Sequence, residues 1–254
     1  MRSRLSRSQR RSSTRPDFGW VARSYDELRP ADANWWEVFE LLVREGDLAG
    51  RRVLDIGSGT GRAAEALVER GSRVWGVEPE PEMAALARER VSTVKVAPAE
   101  RLPFKDGWFE RATMWLVAHL VDRPRAFAQA HRVLSPSGSF AVATFDPSYF
   151  DEFWLNELFP SMEAVDRDRF PTAPELEAEL RGAGFDVRLL RLSQRGSLTR
   201  LDALERIRGK HISTFDLISG EEYEAGLARA ERELPDRVDY RVEWLVAVAV
   251  RGPL

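Results

Sequence analysis

The segment that most constrains this chain runs from Val53 to Arg62 and reads Val-Leu-Asp-Ile-Gly-Ser-Gly-Thr-Gly-Arg. A short apolar stretch ends in an acid, Asp55, and breaks into glycines at alternate positions, Gly57, Gly59 and Gly61, with Ser58 and Thr60 between them. A helical pattern begins at once in Arg62–Arg70. Glycines lack the Cβ atoms that would obstruct a sharp turn or keep a ligand off the backbone. The helix that follows points its first N–H groups into the same crevice. Strand, glycine loop and helix in that order make a nucleotide-type corner at the carboxyl end of a parallel strand.

The spacing narrows the ligand. A dinucleotide fingerprint needs its third glycine at the sixth position of the loop; here that position is Arg62 and the third glycine stands at the fifth. A phosphate-binding P-loop ends in Gly-Lys-Ser/Thr, which is missing. The stretch Ser72–Glu78 reads as a second strand, also ending in an acid. Glu78 falls about twenty residues after the glycines, where such folds set a carboxylate on ribose hydroxyls. Pro79 and Pro81 open a helix through Arg90, and Met83 on it can cover a purine face.

Four motifs in order carry a family resemblance: Asp55-x-Gly-x-Gly-x-Gly61; Glu78; Ala97-Pro-Ala-Glu-Arg-Leu-Pro-Phe104 followed by Asp106-Gly-Trp-Phe-Glu110; and His131-Arg-Val-Leu-Ser-Pro-Ser-Gly138 before a strand over Ser139–Phe145. Together they resemble the class I S-adenosylmethionine-dependent methyltransferases, methyltransferase type 11 family, over residues about 20–146. The resemblance implies a doubly wound, Rossmann-like α/β fold. Its sheet would have seven strands in the order 3-2-1-4-5-7-6, with strand 7 antiparallel. It implies S-adenosyl-L-methionine as cofactor, held by Tyr25, Asp55, Gly57, Ser58, Gly59, Gly61, Glu78, Pro79, Met83, Ala99, Glu100, Met114 and Trp115. Tyr25, within Ser24-Tyr-Asp26, resembles the family's N-terminal segment that folds over the cofactor. At one position the chain departs from the pattern: the family's adenine-facing Asp falls at Pro98, which has neither a carboxylate nor an N–H. Recognition of the adenine amino group then falls to Glu100, to a backbone carbonyl, or to nothing, while the Ala99 N–H can still serve a ring nitrogen.

Outside the glycine corner, Asp32–Glu45 is an amphipathic helix, and helix–strand alternation from 53 to 145 argues for a doubly wound sheet. Thr172 and Glu175 form a capping box that starts a helix ending near Gly182–Gly184, and Phe185–Leu192 and Tyr240–Val250 read as two later strands. Two cap insertions, at about 146–172 and 197–236, interrupt a methyltransferase domain spanning 17–254. The first is dense in aromatic residues and reads equally as a pocket wall or as glue to the sheet. The second reads as two helices, the latter opened by a Ser219/Glu222 box. Asp146-Pro-Ser-Tyr149 resembles the box of amino-methylating nucleic-acid enzymes but follows the fifth strand instead of the fourth, so that reading is rejected.

Charge is unevenly placed. Residues 1–15 hold six Arg and no acid, so the other 32 of the 38 Lys and Arg face 41 Asp and Glu, a formal −9. An acidic body argues against a nucleic-acid groove, and segment 1–16 reads as a disordered basic tail. No apolar run reaches the roughly 18 residues of a membrane span, and no secretory signal is present, so a cytoplasmic enzyme is expected. With zero Cys, thiolate chemistry is excluded, and three His make a multi-histidine metal site unexpected. The expected partner is a small, partly apolar acceptor, with no nucleic acid and no membrane. A base is required only if the acceptor must lose a proton. His119, just past the fourth strand, is the best-placed candidate, with Tyr25 second; His211 in the second insertion can also reach a substrate, and His131 stands in a helix before a turn. Two alternatives stay open: a macromolecule methyltransferase, and a methyltransferase-like module that holds the cofactor without transferring a methyl.

Overall fold

The structure is a computed structural model that describes Ala22 and residues 24–252. The basic segment 1–16, with Phe18, Trp20 and Val21, lies outside the described residues. Seven strands form one sheet: β1 Arg52–Ile56, β2 Arg73–Glu78, β3 Val94–Val96, β4 Phe109–Trp115, β5 Leu134–Phe145, β6 Phe185–Thr199 and β7 Arg237–Arg251. Their order is β3-β2-β1-β4-β5-β7-β6. The first five pair in parallel, and β7 lies antiparallel between β5 and β6. This is the order, with the antiparallel strand, that the family resemblance implies.

Strand alternation supplies both faces of the sheet with apolar side chains. Leu54, Ile56, Phe140, Val142, Leu245 and Ala247 join one buried cluster, which α5 (Arg123–Val133) and α7 (Ala173–Gly182) cover with Phe127, Leu176 and Leu180. Val53, Ala141, Ala143 and Val246 join the other, under α2 (Ala33–Gly46), α3 (Arg62–Glu69) and α4 (Pro81–Arg90), with Phe39, Leu42, Leu67 and Ala87. Asp32 caps α2 by accepting the Trp35 N–H at 2.9 Å. Thr172 and Glu175 form the reciprocal box expected at the start of α7.

Three boundaries differ from the reading. β5 begins at Leu134, five residues before Ser139, and meets β4 through a register shift between Phe109 and Arg111. A strand reading rejects Pro136 and Gly138, but an irregular edge accommodates both. β6 and β7 outrun their apolar runs and stay paired from Phe185↔Arg251 to Thr199↔Arg237. The extension carries few apolar residues because it rises beyond the sheet core. Gly196 allows the ring of its partner Tyr240 to lie across the strand, where a Cβ would come within 2.4 Å. Finally, Ser219 accepts the Glu222 N–H, but Glu222 does not return the bond; its carboxylate accepts from Ser161 N at 2.8 Å and Ser161 Oγ at 2.6 Å.

That diversion has a packing consequence. α6 (Met162–Arg169), α8 (Arg200–Arg208) and α9 (Gly220–Glu233) share a core of their own, built on Leu155, Phe159, Met162, Ile207, Phe215 and Tyr223. Phe159 and Phe215 are fully buried and meet edge-on at 5.1 Å. α8 starts with a second reciprocal box, Thr199 with Asp202, that the sequence reading did not identify. At Gly226 in α9 a Cβ would lie 2.3 Å from the Phe159 ring and 2.7 Å from the Leu158 carbonyl oxygen. Gly226→Val should therefore lower stability by about 1–3 kcal/mol through overpacking, despite a better helix propensity. An unchanged urea midpoint would show that α9 does not pack on segment 154–162.

Candidate active site

The chain turns sharply where β1 ends. Gly57, Gly59 and Gly61 all have positive φ, at 76°, 54° and 85°, a region costly to residues with a Cβ. Their surroundings assign each a different role. A Cβ on Gly57 would strike Val117 at 2.4 Å, and one on Gly61 would strike the Ala87 backbone at 2.8 Å. Above Gly59 nothing lies within 4 Å. Gly61 lets α3 pack on α4 and lines neither cavity described below; the expected ligand contact at this position is thus a packing contact. The loop is held to β2, with Gly57 N and Ser58 N donating to the Val77 carbonyl at 2.7 and 3.0 Å. Glu78 is buried, and its two carboxylate oxygens accept from Gly59 N at 2.9 Å and Glu80 N at 3.0 Å.

Asp55, the penultimate residue of β1, lies inside this corner, 1% exposed, with Oδ2 lacking a hydrogen-bond partner among the described residues. Burial pushes its carboxyl up to about 7, with the Ser58 hydroxyl opposing and the Glu78 charge adding. Ser58, itself buried, donates to the Asp55 carbonyl at 3.0 Å.

Two cavities meet over the loop. One, of about 90 Å³, is lined by Glu78, Pro79, Met83, Ala99 and Glu100, beside Pro98. The other, of about 330 Å³, runs under the helices of the insertions and includes Asp55 and Ser58. Tyr25, Gly57, Gly59, Trp115, Leu116 and Leu120 face both. Leu116 holds a φ of 52°, a strained turn for a residue with a γ-branched side chain. Met114, like Gly61, lines neither cavity: strand alternation turns its side chain into the core, fully buried. In the smaller cavity the Pro98 carbonyl is already engaged by Arg101 N at 3.1 Å, and one Glu100 oxygen by Asp122 N at 2.8 Å.

Tyr25 lies in α1 (Tyr25–Leu28), packed with Ala22 and Met83. Its hydroxyl accepts from Arg29, whose guanidinium stands 4.3 Å over the ring. Asp26 ties this short helix to the loop through Arg62 at 2.8 Å, Arg90 at 2.6 Å and Thr60 at 2.8 Å.

His119 sits in a turn of 3-10 helix, Ala118–Leu120, and faces the larger cavity. Its ring stacks on Phe170 at 4.0 Å, and Nδ1 has no partner among the described residues. Burial first, then Arg169, Arg29 and Arg123, hold its pKa well below the ordinary value. These surroundings favour the uncharged ring. His131 lies away from both cavities, edge-on to Phe185 at 5.0 Å. His211 lines the larger cavity.

One acid at this cavity has no local signature in the sequence. Asp166 is buried on α6, accepts from Thr214 Oγ1 at 2.7 Å and Arg169 Nη1 at 3.3 Å, and is pushed by burial up to about 6. Tyr149 is buried beside it on the cavity wall, with burial raising its hydroxyl far above the usual range. On a helical pattern Asp166 reads as an ordinary surface acid, and only tertiary packing buries it.

A methyltransferase-domain family model matches residues 54–142. The chain is 34% identical over 189 residues to malonyl-(acyl-carrier protein) O-methyltransferase of Geobacter sulfurreducens, a match spanning 69% of this chain and 70% of that one. It is 32% identical over 156 residues to the ubiquinone/menaquinone biosynthesis C-methyltransferase of Citrifermentans bemidjiense, covering 54% of this chain and 65% of the relative, just under two thirds of its length. In fold it is similar to a putative methyltransferase from an antibiotic biosynthesis pathway of Anabaena variabilis, with a TM-score of 0.67 at 21% identity over 83% of this chain and 96% of the other.

The two raised carboxyls give a testable sign. A folded-state pKa of about 7 for Asp55 and about 6 for Asp166, against 3.8 for each unperturbed, means the folded protein holds these protons more tightly than the unfolded chain. Their contribution to stability is therefore present near pH 4 and lost as pH rises toward 7. Urea midpoints across this window should fall less steeply for Asp55→Asn than for the wild type. Parallel curves would show that Asp55 is not desolvated.

Proposed function

The chain belongs to the S-adenosylmethionine-dependent methyltransferases, and on that premise we propose that it transfers a methyl group to a small, partly apolar acceptor held in the larger cavity. The residues present fit the cofactor. The unpartnered Oδ2 of Asp55 suits an ammonium group, and the space above Gly59 admits a chain lying against the backbone. Glu78, aligned by two backbone N–H groups, would take the ribose hydroxyls. Pro79, Met83 and Ala99 would flank the adenine. With Pro98 at the usual acidic position and its carbonyl already bonded, adenine recognition would rest on shape more than on a charged partner.

When bound, S-adenosylmethionine supplies a methyl group already activated by its sulfonium. The protein's contribution is then alignment and exclusion of water. In favourable cases positioning alone lowers the barrier by roughly 7–11 kcal/mol. The single observation that carries this reading is the cavity of about 330 Å³ that opens onto the glycine loop. Trp35, Trp115, Phe145, Phe170 and Trp244 are among its walls, surfaces suited to a flat or apolar body. The named relatives are a C-methyltransferase of ubiquinone/menaquinone biosynthesis and a malonyl-(acyl-carrier protein) O-methyltransferase; neither acceptor is assigned to this chain.

His119 supports a positioning role in this reading. Kept uncharged by its surroundings, it can accept a hydrogen bond from an acceptor O–H or N–H at any pH near neutrality. Full-length protein incubated with methyl-labelled S-adenosylmethionine and pools of small aromatic and acyl compounds should label a small molecule. His119→Ala should lower that turnover by roughly 10²-fold or more without altering the pH profile between 6 and 8. No labelling from any pool, with the cofactor bound, would overturn the transferase reading. A pH step lost in the variant would overturn the uncharged imidazole.

A further inference from the structure

The arginines around the larger cavity divide into two kinds. Arg62 and Arg90 share Asp26, Arg123 holds Glu179 at 2.6 Å, and Arg169 holds Asp166 at 3.3 Å. Arg29 and Arg206 both line the cavity, and neither has a carboxylate partner among the described residues. The Arg29 side chain donates to the His211 carbonyl and the Tyr25 hydroxyl, both uncharged. No protein acceptor among the described residues bonds the Arg206 guanidinium. A charged group beside an apolar cavity without a counter-ion is unfavourable unless something else supplies one.

The two meet across one residue. Arg29 comes from the segment that closes over the glycine loop, and Arg206 comes from α8 of the second insertion. His211, 9% exposed, gives its carbonyl to Arg29, and its Nδ1–H donates to the Arg206 carbonyl at 3.0 Å. Burial first, then the charges of Arg29 and Arg206, push the His211 ring down to about 3, with its hydrogen bond to the Arg206 carbonyl opposing. The acids that share the cavity are committed elsewhere: Asp26 and Asp166 are ion-paired, Asp32 caps α2, and Asp55 lies in the glycine corner.

We propose that the acceptor carries an anionic group, a carboxylate or a phosphate, which Arg29 and Arg206 receive while its apolar body lies along the aromatic walls toward the glycine loop. A guanidinium matches either anion through paired N–H donors. The inference rests on the transferase reading for the ligand's role, but its binding can be measured without any transfer. The rival source of a carboxylate is the cofactor's own methionine part, which the same experiment separates.

Full-length protein saturated with S-adenosylhomocysteine is titrated calorimetrically with three probes of similar size: 4-phenylbutyrate, phenethyl phosphate and 4-phenylbutyramide. At least one anion should bind about tenfold or more tightly than the neutral amide, the effect of one charge-assisted hydrogen bond. Arg206→Gln should erase that preference, Arg206→Lys should keep part of it, and S-adenosylmethionine affinity should be unchanged in both. Among the described residues Arg206 makes no side-chain hydrogen bond or ion pair that the substitution would remove, so the variant should keep its fold; Arg29→Gln then serves as the second site. Equal binding of anion and amide, or binding of neither, overturns the proposal. So does an Arg206→Gln variant that loses S-adenosylmethionine affinity, which would hand the arginines to the cofactor. If the anion preference holds but S-adenosylmethionine itself does not bind, the transferase reading falls and the anion site stands.

Discussion

The structure depends on desolvation at the carboxyl ends of two adjacent strands. β1 carries Asp55 as its penultimate residue and β2 ends in Glu78, both buried in one corner. Glu78 is held by two backbone N–H groups, and Asp55 keeps an unsatisfied oxygen. A buried unpaired carboxylate oxygen is destabilising by itself, so the corner is built for something that completes it. The sheet makes the corner possible: strand order reverses between β1 and β4, and the loops leaving the two strands part at that point.

The second feature is how the cap is raised. β6 and β7 run past the sheet and carry α8 and α9 with them, while Glu222 and Phe159 fasten those helices to segment 146–172. The larger cavity lies between this separate core and the glycine loop. Its polar groups come from both sides, Arg29 and His119 from around the parallel sheet and Asp166, Arg206 and His211 from the insertions. A chain with an acidic body thus presents to this cavity two arginines, Arg29 and Arg206, that have no carboxylate partner among the described residues.

Much of this was legible from local patterns. The glycine spacing, the acid at Glu78 and the apolar run from Trp244 to Ala249 each reflect backbone and burial rules that act within a few residues. Thr172 and Glu175 were readable for the same reason. What escaped depends on contacts far apart in the chain. Gly61 looks like its neighbours until Ala87 packs on it. Met114 faces the core because of strand parity, which a motif match does not reveal. The polar rise of β6 has no apolar signal, and Asp166 is buried only by elements 48 residues away, such as Thr214. The surroundings that keep His119 uncharged are not local either, since its three arginine neighbours lie at positions 29, 123 and 169.

The central claim is that the corner formed by Gly57, Gly59, Asp55 and Glu78 binds S-adenosylmethionine. Titration calorimetry of the full chain and of Glu78→Ala tests it most directly. The account predicts one site per chain in the wild type and an affinity at least roughly tenfold weaker in the variant, since hydrogen bonds to a charged group contribute about 1.5–3 kcal/mol each. The variant should remain folded by circular dichroism. Equal affinity in the two proteins, or no heat of binding in the wild type, would contradict it.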